Sequence, residues 1–397
     1  MAVTHRIFFI PGMFGFGRLA GYEYFGHLEN AIASRLWRRG MRFSLEVIPT
    51  PPTASVRKRA RRVAEKVAWA TGHDNDPIYL IGHSLGGLDA RLLGSPSVRL
   101  DVPEAVTAWR SRLKSVLTIN TPHYGTPVAH FFATVSGTRL LYALSLLTVT
   151  TLKLGGPSLT IFSSLLAALS RVDDWVGLDI RTLDQITSLA MRFVGNQGRD
   201  ELNEWLQCIR TDQGGIIQAT PEAMDLFNSA TEDSPGVRYG CVATASPAPG
   251  PMTFVSSLRS PSAVFSTAIY SSLYAFAALP RKPYPSPKLD PSLREKLRAA
   301  LGAEPSERSN DGIVPLMSMI WGDVVYAGAG DHLDVVGHFA DNERPALHTD
   351  WLRSGSVFRR QDFSAMTDAI ADFLATAMLD DTARGDSRPN PTPVPSA

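Results

Sequence analysis

Short apolar runs alternate, over the first third of the chain, with stretches in which apolar residues return every three or four positions. Residues 7–10, 43–48, 78–81 and 114–119 are the runs, short and nearly continuous as in strands covered on both faces. Between them, 24–39 and 55–70 carry helical spacing, with Leu28, Ile32, Leu36 and Trp37 assigned to the buried face of the first. Strands that alternate with helices predict a mostly parallel, doubly wound sheet, with its site at the carboxyl ends of the strands.

Beyond residue 130 the pattern changes. Residues 131–169 read as two apolar helices broken at Gly155-Gly156-Pro157, followed by helices over 179–192 and 200–209. A strand returns at 237–243, a second apolar insertion occupies 254–279 between proline clusters, and Val324-Val325 lies in another short strand. Stretches this apolar, outside the sheet, either add to the core or form a mobile cap over an apolar pocket. An amphipathic helix over 363–378 closes the folded part. The expected organisation is one domain over 1–379, with cap insertions at roughly 130–235 and 250–285, and a disordered Pro-rich tail over 380–397.

Composition narrows the function classes. The chain has 397 residues, and its formal net charge of +1 gives no electrostatic argument for nucleic acid. The basic residues Arg57, Lys58, Arg59, Arg61, Arg62 and Lys66 of the second helix are assigned to a solvated outer face, with an anionic lipid surface as the sharper alternative. Two cysteines cannot make a disulfide framework, and Cys241, in a strand, is expected to pack as a small hydrophobe. No apolar stretch reaches the ~20 residues of a membrane helix, and no secretory signal is visible, which points to the cytoplasm.

The chemistry is carried by Gly82-His83-Ser84-Leu85-Gly86, set between the run at 78–81 and helical spacing at Leu88, Leu92 and Leu93. Strand, glycine-flanked turn and helix are the context of a nucleophile elbow, which exposes the serine hydroxyl beside free N–H groups of the helix start. Such a serine needs a base held in one tautomer by an acid, and here both follow the elbow in the chain, acid first. Of nine histidines, His332, His338 and His348 come late enough; His332, after a Gly-Ala-Gly turn, is first choice and His338 second. His83, inside the elbow, is expected to point away from the hydroxyl. Among the acids, Asp311 in Asn-Asp-Gly is the choice, since Asp323 opens a strand and Asp331 adjoins the histidine. The backbone of Leu85, directly after the nucleophile, supplies one oxyanion donor, and the loop after the first strand the other, Met13 before Phe14.

These residues resemble the bacterial calcium-dependent true lipases (family I triacylglycerol lipases) of the α/β-hydrolase superfamily. The resemblance rests on Pro-Gly-Met-Phe-Gly-Phe at 11–16, Gly-Tyr-Glu-Tyr-Phe at 21–25, the elbow, Thr-Pro-His-Tyr-Gly at 121–125, Asn-Asp-Gly at 310–312 and His-Leu-Asp at 332–334. It implies Ser84, Asp311 and His332 as the triad, and Met13 and Leu85 as oxyanion donors. It also implies a structural calcium, held by Asp334 and by Asp290 of Leu-Asp-Pro-Ser, with a carbonyl from near His338, clamping the loop of His332; no organic cofactor is implied. The chain departs from the family where Pro11-Gly12 replaces His-Gly, in having no counterpart of its disulfide or leader, and in a longer 130–285 region. The expected function is cleavage of acyl esters, as a triacylglycerol lipase, with a short-chain esterase or acyltransferase as the alternative within the fold. A non-catalytic binding protein is the alternative outside it.

Overall fold

In the computed structural model the six strands β1 (His5–Ile10), β2 (Phe43–Val47), β3 (Ile78–His83), β4 (Leu113–Ile119), β5 (Arg238–Ala245) and β6 (Asp323–Ala329) form one sheet. Its order is β2-β1-β3-β4-β5-β6, and every neighbouring pair is parallel. The structure describes residues 3–19, 22–72, 74–134, 137–138, 141–142, 144–145, 187–188, 196–250, 261–279, 287–341, 350 and 352–386. The chain steps from β1 outward to β2, then returns to the other side of β1 for β3. The strand order therefore reverses between β1 and β3, where an open α/β sheet leaves a crevice at its carboxyl edge. The loop at 11–16 and the elbow at Ser84 both start from that crevice.

Helices α1 (Gly26–Arg38), α2 (Val56–Thr71) and α3 (Leu85–Gly94) follow β1, β2 and β3. The first packs against the long closing helix, and α2 packs against α3. Leu28, Ile32 and Leu36 of α1 are fully buried, at about 1.5–3 kcal/mol each. Trp37 is not on that face and stands 76% exposed, because the 28–32–36 spacing defines the stripe and Trp37 is rotated ~100° away from it. Ile78 to His83 are buried without interruption, as a central strand with helices on both faces requires.

Beyond β4 come α4 (Pro127–Phe132), α5 (Asn196–Thr211), α6 (Gly214–Gln218), α7 (Pro221–Ala230), α8 (Pro261–Ala277), α9 (Pro291–Leu301) and α10 (Arg360–Asp386). Most of the helical expectations at 131–169 and 179–192 fall outside the described residues; α5 and α8 are the parts of the two insertions that are described. Helix α10 continues eight residues past its expected end at 378, so the tail's first residues are helical, and 387–397 lie outside the described residues. Cys241 is buried and unpaired, as expected of a small apolar side chain. Among the described residues no helix is long and apolar enough to cross a membrane.

Candidate active site

Ser84 stands between the last residue of β3 and the first of α3 with φ 53° and ψ −125°, a left-handed conformation that a side chain rarely adopts. The turn is held by Ser84 N–H to Ile119 O at 2.9 Å and Gly87 N–H to Ser84 O at 3.0 Å. Its glycines are sterically required. A Cβ at Gly82 would lie 2.3 Å from the Gly86 carbonyl, and one at Gly86 2.1 Å from Ile10 O. Gly87 is tighter still, at 1.9 Å from the Thr121 hydroxyl.

Asp311 and His332 come together as the sequence predicts. His332 Nδ1 lies 2.6 Å from Asp311 Oδ2, and His332 N–H donates to Asp311 O at 3.0 Å. Both side chains are almost entirely buried. The Asp311 carboxylate also accepts from the amides of Ile313 (2.9 Å) and Val314 (2.7 Å) and from Asn120 Nδ2 (3.0 Å). With Nδ1–H donated to a carboxylate, the free lone pair of the imidazole sits on Nε2. His332 and Ser84 line the same cavity, although no hydrogen bond joins them in this structure. Asn120 is a member of the site that sequence reasoning passed over. Its signals were its place at the carboxyl end of β4 and a loop whose Asn adopts positive φ, here 46°.

The loop after β1 is pinned on several sides. Gly12 O accepts from Gly15 N–H, Met13 O from Thr53 N–H, and Phe14 O from the indole N–H of Trp205 at 2.7 Å. Underneath, Arg59 reaches Pro11 O at 2.6 Å while its guanidinium pairs with Asp89 at 2.8 Å. Arg59 was assigned to a solvated face; it is fully buried, because its helical position faces α3 and the loop rather than water. Burial raises Asp89 to about 6, against the opposing pull of Arg59. Among the described residues no acceptor takes the Met13 or Leu85 amide.

Both ring nitrogens of His83 are engaged away from the Ser84 hydroxyl. Its ring packs on that of His332 with centroids 4.8 Å apart, and it is fully buried. Its Nε2 lies 3.0 Å from His332 O and its Nδ1 2.7 Å from the hydroxyl of Tyr24. Burial first, then the neighbouring His332, holds His83 well below the usual imidazole range, so it stays neutral. His338, the second-choice base, is also buried, and its ring faces His27 rather than Asp311.

The cavity above Ser84 has a volume of about 90 Å³. Met13, Phe14, Leu85, Val128, Phe132, Leu141, Leu144, Ile216, Leu273 and Ile313 line it, contributed by the loop after β1, by α3, α4, α6 and α8, by residues 141 and 144, and by the segment after Asp311. The polar members besides Ser84 and His332 are Tyr24 and Thr126, and both hydroxyls are already engaged, Thr126 by Ile313 O. A guest in this cavity would therefore meet hydrocarbon everywhere except at Ser84 and His332.

The two expected metal ligands stand in different settings. Asp290 is the exposed N-cap of α9, its Oδ1 taken by Ser292 and by Leu293 N–H. Asp-Pro-Ser at a helix start is a capping arrangement. Asp334 is buried in a different setting, where its Oδ2 accepts from Asp331 N–H and from the Ser356 hydroxyl. Burial first, then Asp350, raises Asp331; burial first, then Asp331, raises Asp334. Among the described residues no three His, Cys, Asp or Glu side chains stand as a ready ligand set.

No protein-family model and no curated protein matches the chain. Among solved structures, the lipase of Staphylococcus hyicus aligns with a TM-score of 0.52 at 15% identity, covering 95% of this chain and 97% of that one. EstA from Clostridium botulinum (TM-score 0.48, 17% identity, 92% and 87% covered) and lipase 1 from Pelosinus fermentans (0.46, 16%, 89% and 97%) also align. With the parallel sheet and the elbow after β3, the first of these likenesses establishes the α/β-hydrolase fold.

Proposed function

We propose that the protein is a serine carboxylic-ester hydrolase that cleaves acyl esters of apolar acids. One observation carries the reading: a strained serine and an Asp-held histidine open onto the same cavity, which is otherwise apolar. In this mechanism Ser84 Oγ attacks the ester carbon while His332 Nε2 accepts its proton. Asp311 holds the tautomer and stabilises the imidazolium. The oxygen that gains charge is met by the Met13 and Leu85 amides, a pair worth roughly 10²–10³ in rate for each donor. His332 then protonates the departing alcohol, and water, activated by the same base, releases the acid from Ser84.

A fluorophosphonate probe and a p-nitrophenyl ester series test this together. Ser84 is expected to be the labelled residue, and Ser84→Ala to lose hydrolysis by at least ~10³-fold. Full activity in Ser84→Ala sinks the reading. The apolar lining favours a triacylglycerol lipase over a short-chain esterase, so rates should rise with acyl length and with an emulsion surface. Preference for acetate in free solution indicates the esterase, and transfer to an added alcohol faster than hydrolysis indicates an acyltransferase.

A structural calcium belongs to the same proposal, with Asp334 and Asp290 as the resemblance implies and Asp331 as a further carboxylate beside Asp334. It is supported by two buried, mutually repelling carboxylates next to His332, whose oxygens suit a hard cation. Bound there, calcium would supply no step; these residues would fix the loop that carries the base. Chelator-stripped protein should then melt lower and regain its melting temperature on calcium addition. An unchanged melting temperature removes the metal from the account.

A further inference from the structure

The elbow histidine and a tyrosine from the segment before α1 make a continuous hydrogen-bonded chain between the two halves of the site. Gly12 N–H lies 3.3 Å from the Tyr24 hydroxyl oxygen, which lies 2.7 Å from His83 Nδ1. His83 Nε2 in turn lies 3.0 Å from the main-chain oxygen of His332. Both side chains are buried, Tyr24 to 8% exposure and His83 to 1%.

Every proton in this chain has a defined place. A main-chain carbonyl only accepts, so His83 Nε2 carries the hydrogen. A neutral imidazole then bears its lone pair on Nδ1. The Tyr24 O–H therefore donates to Nδ1, and its oxygen is left to accept from Gly12 N–H. Burial keeps the phenol protonated, which the arrangement needs. All three bonds run in one direction, from Gly12 to His332, and each polarises the next.

Both ends of the chain are at working parts. Gly12 precedes Met13, and its backbone is so close that an added Cβ would stand 2.8 Å from the Tyr24 hydroxyl and 3.0 Å from Ser84 Cβ. At the other end, the main chain of His332 is held through its N–H by Asp311 O and through its carbonyl by His83. The ring of His83 also supports the ring of His332 from one side.

We propose that Tyr24 and His83 are positioning residues, a relay that fixes the amide loop at Met13 relative to the imidazole of His332. The relay rests on the ester-hydrolase reading above. Neither residue takes the nucleophile's proton, and although Tyr24 lines the cavity, its hydroxyl is already engaged by His83 and Gly12. Loss of the relay should therefore appear in turnover per active site and leave substrate binding nearly unchanged.

The test uses the full chain, with active sites titrated by the fluorophosphonate probe and kcat and KM measured on a p-nitrophenyl acyl ester. Tyr24→Phe removes one oxygen and leaves Gly12 N–H and His83 Nδ1 without a partner. His83→Leu breaks the chain at both of its atoms. His83→Gln keeps an N–H within reach of His332 O and loses only the acceptor for Tyr24. Expected are kcat values per titrated site lowered roughly 10- to 100-fold in Tyr24→Phe and His83→Leu, with KM little changed and His83→Gln in between. A role in folding alone would lower the number of titrated sites and the melting temperature, with kcat per site intact; that result overturns the relay. Equal losses in His83→Gln and His83→Leu overturn it as well, and Tyr24→Phe and His83→Gln decide the matter if His83→Leu does not fold. Wild-type protein that is not labelled at Ser84 removes the hydrolase reading and the relay with it, whereas labelled wild type beside an unimpaired Tyr24→Phe removes the relay alone.

Discussion

At the scale of single residues, the site stores strain and surrounds it with contacts that leave no room to relax. A non-glycine residue in the left-handed region costs about 1–3 kcal/mol, and Ser84 is kept there by bonds to Ile119 and Gly87 and by glycines packed against backbone. Much of this was legible, because the demand for glycine at 82 and 86 is local: a Cβ at either would meet the turn itself or the strand end beside it. What the neighbours across the fold decide was not legible. His83 was expected only to point away from the hydroxyl, and it is the approach of the His332 loop and of Tyr24 that gives its two nitrogens partners. Arg59 sat in a basic run and read as solvated, although its position places it under Pro11 beside Asp89. Asp290 caps α9, a role that its Asp-Pro-Ser context made legible.

At the scale of elements, α5 connects the expected cap to the amide loop. Leu202, Trp205, Leu206 and Ile209 form its buried stripe, and the Trp205 indole packs on Phe14 and Phe16 with centroids 5.8 and 6.0 Å away. Its N–H holds Phe14 O, one residue past the proposed Met13 donor. Trp205→Phe keeps the aromatic packing and releases that carbonyl. One neutral hydrogen bond is worth about 1 kcal/mol, so kcat/KM for an acyl ester should fall roughly fivefold with a small drop in melting temperature. An unchanged kcat/KM would show that the loop holds its shape without α5. Helical periodicity found α5 to within a few residues, yet the anchor on Phe14 could not be read from it. Period tells which side chains turn inward, and the element they meet is set by the topology of the sheet.

At the scale of the molecule, the parallel sheet separates two ends with different duties. Its carboxyl edge carries the strained serine and the loop at the reversal between β1 and β3, and His332 after β6. Its amino edge carries a clamp. Asp74, between α2 and β3, accepts from Arg6 at the start of β1 at 2.6 Å and from Arg112, next to the start of β4, at 3.1 Å. One carboxylate thereby ties the ends of three adjacent strands. Burial alone would raise the Asp74 pKa, and the bonds from Arg6, Asp76 N–H and Arg112 overcome this and hold it below the usual carboxylate range. A carboxylate depressed in the folded state binds fewer protons there than in the unfolded chain. The stability it contributes is then present above the unfolded value of about 3.9 and is lost as the pH falls below it. Asp74→Asn removes the charge and keeps the shape. The wild type should melt higher than this variant near neutral pH, and the gap should begin to narrow below pH ~4 and go on shrinking as the pH falls toward the depressed folded-state value of Asp74. Thermal melts of both proteins from pH 7 to pH 3 give the comparison directly, and a gap that stays constant into acid would mean that the clamp works by packing and not by charge.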